Sequence, residues 1–367
     1  MTSAEFPKIT FGIIVLNGEP FTRYCLRSIY PFAYEIIVVE GGHEDTKSVC
    51  TPTGHSIDTT LETLYKFKQE EDHENKLTII TRNGFWPKKD ELGNDRTLQS
   101  RAYAERASGN YLWQIDIDEF YREEDMFNII KRLKENPSIT AVTFPTRNFW
   151  GDIIYKIDGW KLRRGSIYYH RLFKWGKGYK YVTHEPPTVY NEKGIDLRRI
   201  NWIKGKKLMK KGIYMYHYSH LFPWQVKQKT MIYKDEKPDS CSDILKWAEN
   251  NYFKVTNPFN IERHYWLPSW LEYYWGSHPA EVINMMRDIK SGQVNIELRD
   301  NHDVEEILGE KYYALKTFMM KAYNVWDYYS KYLIFQMSRI KNIPGRIRRN
   351  WVKVKFILNQ NKKKSVK

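Results

Sequence analysis

A chain of 367 residues, 41% of them hydrophobic, can bury a large core and carry one large domain with an appendage, or two domains. Its three cysteines, Cys25, Cys50 and Cys241, form no C-x-x-C pair, which argues against a disulfide framework or a cysteine zinc site and suits a reducing compartment. The net charge of +15 is largely a property of one segment, 339–367, which holds eleven Lys and Arg and no Asp or Glu; such a tail suits an anionic surface, lipid or nucleic acid.

In chain order, Lys8 to Leu16 reads as a buried strand. The loop Asn17-Gly18-Glu19-Pro20 follows, with Pro20 placed for the first turn of a helix reaching about Tyr30. YEIIVVE, Tyr34 to Glu40, is a second buried strand ending in a carboxylate and two glycines. Strand, helix and strand within about thirty residues make a βαβ unit and therefore a parallel sheet. No G-x-G-x-x-G follows the first strand, so the dinucleotide-binding fingerprint is absent. A helix is expected near Thr60 to Glu71, a third strand at Leu77 to Ile80, and a polar loop from Arg82 to Asp95. A further helix runs from about Asp95 to Ser108 and is ended by Gly109.

The next stretch, GNYLWQIDIDEFY, organises the rest. An apolar run from Tyr111 to Ile115 stops abruptly at Asp116, Ile117, Asp118 and Glu119. Side chains two apart on an extended strand point the same way, so Asp116 and Asp118 are expected to converge while Ile117 packs behind them. Convergent carboxylates call for a cation. Oxygen ligands select hard ions such as Mg²⁺ or Mn²⁺, which complete their shells with water and substrate phosphates. The other reading is a surface turn in which Asp118 or Glu119 caps the helix Arg122 to Asn136. The early strands thus end at Asn17, Glu40 and the 116–119 acids, on the edge where open α/β sheets bind ligands.

Beyond Asn136-Pro137 the strands TAVTFP, YYHRLFKW, a segment through YKYVTHEPP, and GIYMYHYSH predict a mixed extension of the same sheet, followed by a helix from Trp224 to Lys234. Aromatics are dense from Trp247 to Trp275, suited to the core of a helical cap or to stacking on sugar faces. A helix Pro279 to Lys290 and a last one, Tyr312 to Met337, complete the fold. In the last helix Thr317, Lys321, Asn324, Asp327 or Tyr328, and Lys331 fall in one polar stripe. With the basic tail behind it, this helix suits a membrane interface, packing on the main domain, or a homo-oligomer contact. The predicted organisation is 1–235 as the main domain, 236–310 as an aromatic-rich cap, 311–338 as the amphipathic helix and 339–367 as the tail. MTSAEFPKIT has no secretory signal character and no run of 18 apolar residues occurs, so a cytoplasmic protein, free or peripheral on the cytosolic face of a membrane, is expected.

Four pieces in order resemble the family 2 glycosyltransferases of the GT-A fold. They are the first strand with its Asn17-x-Glu19 loop, YEIIVVEGG, the helix-Gly-strand approach, and LWQIDIDEFY. RLFKWGKGYKYVTHE is similar to the family's R-L-F segment leading into V-H-E, and YMYHYSH to a segment in which a histidine returns to the metal. The resemblance covers about residues 8–235. Glu40 stands where aspartate is usual, and Gly18 separates Asn17 from Glu19.

The resemblance implies an α/β fold, a Rossmann-like doubly wound mixed sheet of GT-A type with a C-terminal helical extension. Within it, 1–120 would be the nucleotide-binding half and 137–235 the acceptor half. It implies inverting transfer of a sugar from a nucleotide diphosphate donor to a hydroxyl of a glycan or lipid-linked acceptor, assisted by Mn²⁺ or Mg²⁺. Asp118 would hold the ion, Asp116 would reach the ion or the ribose, and His217 or its neighbour His220 would be the third ligand. Asn17, Glu19 and Glu40 would hold base and ribose, while Arg96, Arg101 and Arg171 are candidates for phosphate. Glu185, with His184 as runner-up, would be the base opposite the leaving group. Two competing readings are a nucleotidyltransferase of related fold, whose glycine- and basic-rich loop N-G-E-P does not supply, and a nucleic-acid binding protein using tail and aromatics, whose phosphates the strand-end acids would repel without metal.

Overall fold

The structure, a computed structural model, describes residues 6–91, 96–163, 167–236, 241–262 and 267–340. It divides into two compact units, Met1–Leu308 and Gly309–Lys367. The basic segment from 341 onward lies outside the described residues.

The first unit begins with β1 (Ile9–Val15), α1 (Phe21–Ile29), β2 (Glu35–Glu40), α2 (Thr60–Glu70), β3 (Leu77–Ile80), α3 (Thr97–Ala104) and β4 (Tyr111–Asp116). β1 lies between β2 and β4, and β2 pairs with β3, all in parallel. β1, β2 and β4 are buried along almost their whole length. Strands covered on both faces read as continuous apolar runs, which is why these were visible in the sequence. Phe11, Trp113 and Phe144 stack through the core, with ring centroids 5.3 and 5.2 Å apart. Gly12 lets α3 lie against β1: a Cβ there would stand 2.4 Å from the Tyr103 ring.

The chain continues through β5 (Glu119–Phe120), α4 (Glu123–Glu135), β6 (Ala141–Trp150), β7 (Asp152–Gly159), β8 (Tyr168–Lys174), β9 (Lys180–Thr183), β10 (Thr188–Tyr190), β11 (Trp202–Ile203), α5 (Gly205–Met209) and β12 (Met215–His220). It ends with α6 (Pro223–Glu236), α7 (Cys241–Ala248), β13 (Ser269–Tyr273), α8 (Ala280–Lys290), α9 (His302–Gly309) and α10 (Lys311–Ile340). The main sheet runs β13-β7-β6-β8-β4-β1-β2-β3, with β11 and β12 joined to β6 and β5 joined to β12; β9 and β10 form a separate ribbon. β8 is antiparallel to both β4 and β6, and marks the change from parallel to mixed pairing. This is the doubly wound mixed α/β sheet with a C-terminal helical extension that the sequence implies.

The segment 236–310 differs from the expected helical cap. β13 within it pairs antiparallel with β7 and extends the sheet, while α8 packs on α1, where Tyr24 Oη donates to Asp288 at 2.6 Å. Its aromatic residues Trp247, Tyr252 and Trp270 are core, whereas Trp275 is 88% exposed.

Candidate active site at the carboxyl edge of the sheet

A cleft of about 650 Å³ opens at the carboxyl ends of β1, β2 and β4. It is lined by the 17–19 loop, the 41–43 loop, Arg96, Asp116, Asp118, Arg171, His184, Glu185 and His217. That volume suits a nucleotide-sized ligand.

β4 ends at Asp116, and residues 117–118 turn the chain into β5. Asp116 and Asp118 both line the cleft, but across a turn rather than along one extended strand. Antiparallel pairing of β5 with β12 sets His217 opposite Glu119, and the Tyr218 amide donates to the Asp118 carbonyl at 3.0 Å. This pairing carries His217 Nε2 to 3.5 Å from Asp118 Oδ1. His220, three positions further on, is away from the acids: its ring meets Trp247 at 5.5 Å and lines a neighbouring cavity of about 300 Å³. Lys161, Tyr169, His217 and Lys229 border both spaces.

Glu119, the fourth acid of the run, caps no helix as the turn reading supposed. It is fully buried, and its Oε2 accepts from the Asp116 amide at 3.2 Å. Arg171, from β8, donates to Glu119 through Nε at 2.9 Å and through Nη2, and Nη2 also donates to Asp116 Oδ2 at 2.7 Å. Arg171 therefore braces the acidic turn from behind. This overturns its reading as a side chain free for phosphate, because its charge is already shared by two carboxylates. Sequence reasoning missed the brace, since only the register of β8 against β4 brings 171 to 116 and 119.

The brace and the histidine set the charges. Burial pushes Glu119 up to about 7, although Arg171 opposes it. Burial would also raise Asp116, but Arg171 outweighs it and holds the carboxyl below its ordinary value. At Asp118 burial is overcome by His217 and by Lys229, and the carboxyl is held well below the usual range. Burial lowers His217, but Asp118 and Glu119 more than reverse this and leave it raised.

On the other wall, Asn17 adopts φ +52°, a conformation Asn tolerates better than most residues. Its side chain is consumed in holding loops: Nδ2 donates to the Val49 carbonyl and Oδ1 accepts from the Ile57 amide, both at 2.7 Å. Glu40, fully buried, is likewise committed, accepting from the Ser56 amide at 2.7 Å and lying 2.8 Å from His55 Nδ1. The expectation that Glu40 touches base or ribose is corrected: it shapes the 55–58 loop and stays outside the cleft wall. Glu19 does line the cleft, and its Oε1 is buried without a hydrogen-bond partner among the described residues. Burial, reinforced by Asp58, raises its carboxyl.

Arg96, the residue before α3, lines the cleft; Arg101, one turn on, does not. The expectation of Arg101 at a phosphate is corrected too, since Nη2 donates to the buried Asp90 at 2.9 Å and Nε to the Tyr181 carbonyl at 3.3 Å. His184 Nδ1 is 2.8 Å from Ser100 Oγ, and burial, with Arg96 and Arg171 adding to it, pushes the ring down to about 4. A ring so weakly basic carries no proton at neutral pH. Glu185 is exposed at the rim of the same cleft.

As to a metal, no group of three His, Cys, Asp and Glu suited to one is preformed among the described residues. Asp116 is turned to Arg171, so it does not stand with Asp118 and His217 as the expected three-ligand set. The Asp118 and His217 donors nevertheless fit an ion. Ligands at about 2.1 Å subtending roughly 90–110° lie about 3.0–3.4 Å apart, close to the separation seen here. Carboxylate oxygen and imidazole nitrogen are also donors that Mn²⁺ accepts.

No family model matches the chain, and no curated protein matches it. Among solved structures it is similar to S. aureus TarS residues 1–349, at 14% identity over 70% of this chain and 75% of that one, TM-score 0.35. In the complex of that protein with UDP-GlcNAc the match covers 39% of this chain and 35% of that one, TM-score 0.28. A mannosyltransferase of Pyrobaculum calidifontis in complex with GDP-Man and Mn²⁺ matches at 12% identity over 87% and 85%, TM-score 0.36. Glucosyl-3-phosphoglycerate synthase of Mycobacterium tuberculosis, with Mn²⁺ and UDP, matches at 16% over 40% and 45%, TM-score 0.27. Likeness at this level assigns no ligand and no reaction to the chain.

Proposed function

We propose that the protein is a glycosyltransferase that takes a sugar from a nucleotide diphosphate donor, with a divalent ion, Mn²⁺ or Mg²⁺, at Asp118 and His217. The observation that carries this reading is the Asp118–His217 pair, held at the strand ends in a nucleotide-sized cleft. The ion, when bound, supplies positive charge to a diphosphate leaving group.

The chain's own residues divide the remaining tasks. Asp116, fixed by Arg171, presents a carboxylate kept ionised, which would reach the ion or a ribose hydroxyl of the donor. Glu19 offers the ribose its unpartnered Oε1. Arg96 and Lys229 add cationic charge at the cleft where the pyrophosphate would lie. Asn17 and Glu40 act one step back, holding the 49–57 segment against the ends of β1 and β2. The acceptor, a hydroxyl of a glycan or lipid-linked sugar, would enter from the side of Glu185, which removes its proton as it attacks the anomeric carbon; general bases of this kind contribute roughly 10² to 10⁴ in rate. Attack from the face opposite the leaving group inverts the anomeric centre. His184 is too weakly basic for that task and serves to seat the 184–187 turn on α3 through Ser100.

The test is a thermal-shift screen of UDP-, GDP-, and dTDP-sugars with and without Mn²⁺, followed by turnover of the best donor. Asp118→Asn should lose the Mn²⁺-dependent part of the shift and at least 10²-fold in turnover while melting like the parent without ligand. A full-rate Asp118→Asn enzyme, or a protein shifted by no nucleotide sugar, would refute the assignment.

A further inference from the structure

The cavity of about 300 Å³ beside the cleft stands at the lower end of what a small-molecule site needs, room for one sugar ring rather than a nucleotide. His217 lines both spaces, whereas the 17–19 and 41–43 loops line the large cleft and not the smaller cavity. A nucleotide lodged against those loops, with its diphosphate at the Asp118–His217 pair, would therefore aim whatever its outer phosphate carries towards the smaller cavity.

The lining of that cavity has its own chemistry. Ile157, Trp247 and Ile261 are buried and supply apolar surface, and the Trp247 indole is fixed by donating to the Ile261 carbonyl at 2.9 Å. Two half-buried side chains of opposite charge also line it, Lys161 just after β7 and Glu262 ahead of β13. The Glu262 amide donates to Ser269 Oγ at 2.8 Å, which ties this residue to the start of β13. Burial, with Asp158 adding to it, raises the Glu262 carboxyl, and the charge of Lys161 opposes this. Among the described residues neither the Lys161 nor the Glu262 side chain makes a hydrogen bond.

A half-buried carboxylate and ammonium left without hydrogen bonds are costly unless a ligand completes them. An anionic ligand would meet the charge of Glu262, and an apolar one would leave both groups unsatisfied. A hydroxyl group suits both, because it donates to a carboxylate while accepting from an ammonium. Several hydroxyl groups on one compact ring, with an apolar face towards Trp247, describe a pyranose.

We propose that Lys161 and Glu262 read the hydroxyl groups of the sugar carried by the donor, so that the smaller cavity decides which sugar is transferred. This rests on the function proposed above.

The experiment is titration calorimetry with Mn²⁺ of UDP, GDP and dTDP, and of UDP-glucose, UDP-N-acetylglucosamine, GDP-mannose and dTDP-rhamnose, followed by kinetics with the sugar conjugate the parent uses. Glu262→Ala and Lys161→Met should each melt like the parent without ligand and bind the bare nucleoside diphosphate within twofold of it. Each should lose at least tenfold in kcat/KM for the sugar conjugate, and preference among conjugates of one nucleotide should narrow. Glu262→Gln, which keeps an acceptor oxygen, should recover part of the loss. Variants that use the sugar conjugate like the parent, while nucleotide binding is intact, would overturn this assignment and leave the function above standing. Variants that raise the KM for the acceptor and leave the donor unaffected would overturn it too, since the ring in the cavity would then be the acceptor's. A parent that binds neither nucleotides nor their sugar conjugates would overturn both.

Discussion

Replacing Arg171 by Met keeps the stem and removes the charge that Glu119 and Asp116 share. Breaking one side of a buried ion pair costs about 3–5 kcal/mol, because a charge is left in the interior without its partner. Its pH dependence makes the prediction specific. Glu119 stands at about 7 with Arg171 in place, against an ordinary value of 4.5. A carboxyl raised on folding binds its proton more tightly in the native chain, so its contribution to stability falls as pH rises from 4.5 to 7 and is then level. Without Arg171 that value moves higher, and the fall continues above pH 7 at about 1.4 kcal/mol per unit. Urea unfolding at about pH 7 and about pH 8.5 should therefore show the deficit of Arg171→Met widening by about 2 kcal/mol over those 1.5 units. A deficit below 1 kcal/mol, or one that does not change between the two pH values, would mean that Arg171 does not carry the acidic turn.

Three further outcomes follow from other parts of the molecule. Gly12→Ala drives a methyl group into the Tyr103 ring, and should cost about 1–3 kcal/mol in urea unfolding, as overpacking does; an unchanged midpoint would show that α3 is not close-packed on β1. His184 is protonated near 6.5 when unfolded but only near 4 when folded, so it should withdraw about 3 kcal/mol of stability as pH falls through that window and none above it. His184→Gln should flatten the acid limb of the pH–stability curve, and an identical limb would dismiss the buried neutral ring. Glu40→Ala strips the Ser56 amide and His55 of their acceptor, and should cost about 1–3 kcal/mol while accelerating amide exchange at 55–57; unchanged exchange there would count against its role in holding the loop.

The parallel half of the sheet was legible because both faces of its strands are covered, leaving unbroken apolar runs such as FGIIV and EIIVV. The acid cluster was legible as a strand ending in carboxylates, but its internal division of labour was not. Glu119 looks like a helix cap in one dimension, and only β8 running antiparallel to β4 makes it the seat of Arg171. Glu40 and Arg101 were misplaced for the related reason that a charged residue at a strand end or on a helix faces either a ligand or a loop, and sequence spacing does not distinguish the two. β13 was hidden among aromatics that read equally well as a helical cap, since Ser269–Tyr273 owes its extended form to pairing with β7, more than a hundred residues earlier.

The position of β12 has a consequence for how the protein comes into being. Its residues are the last of the inner strands to be synthesised, yet they lie between β5 and β6 and deliver the imidazole beside Asp118. A nascent chain can therefore complete its parallel half, with the Glu119–Arg171 brace in place, and still lack one member of the Asp118–His217 pair. On the function proposed above, competence for the metal would arrive in one step, when residues beyond 215 dock, and a prematurely terminated product would fold in part without taking up nucleotide.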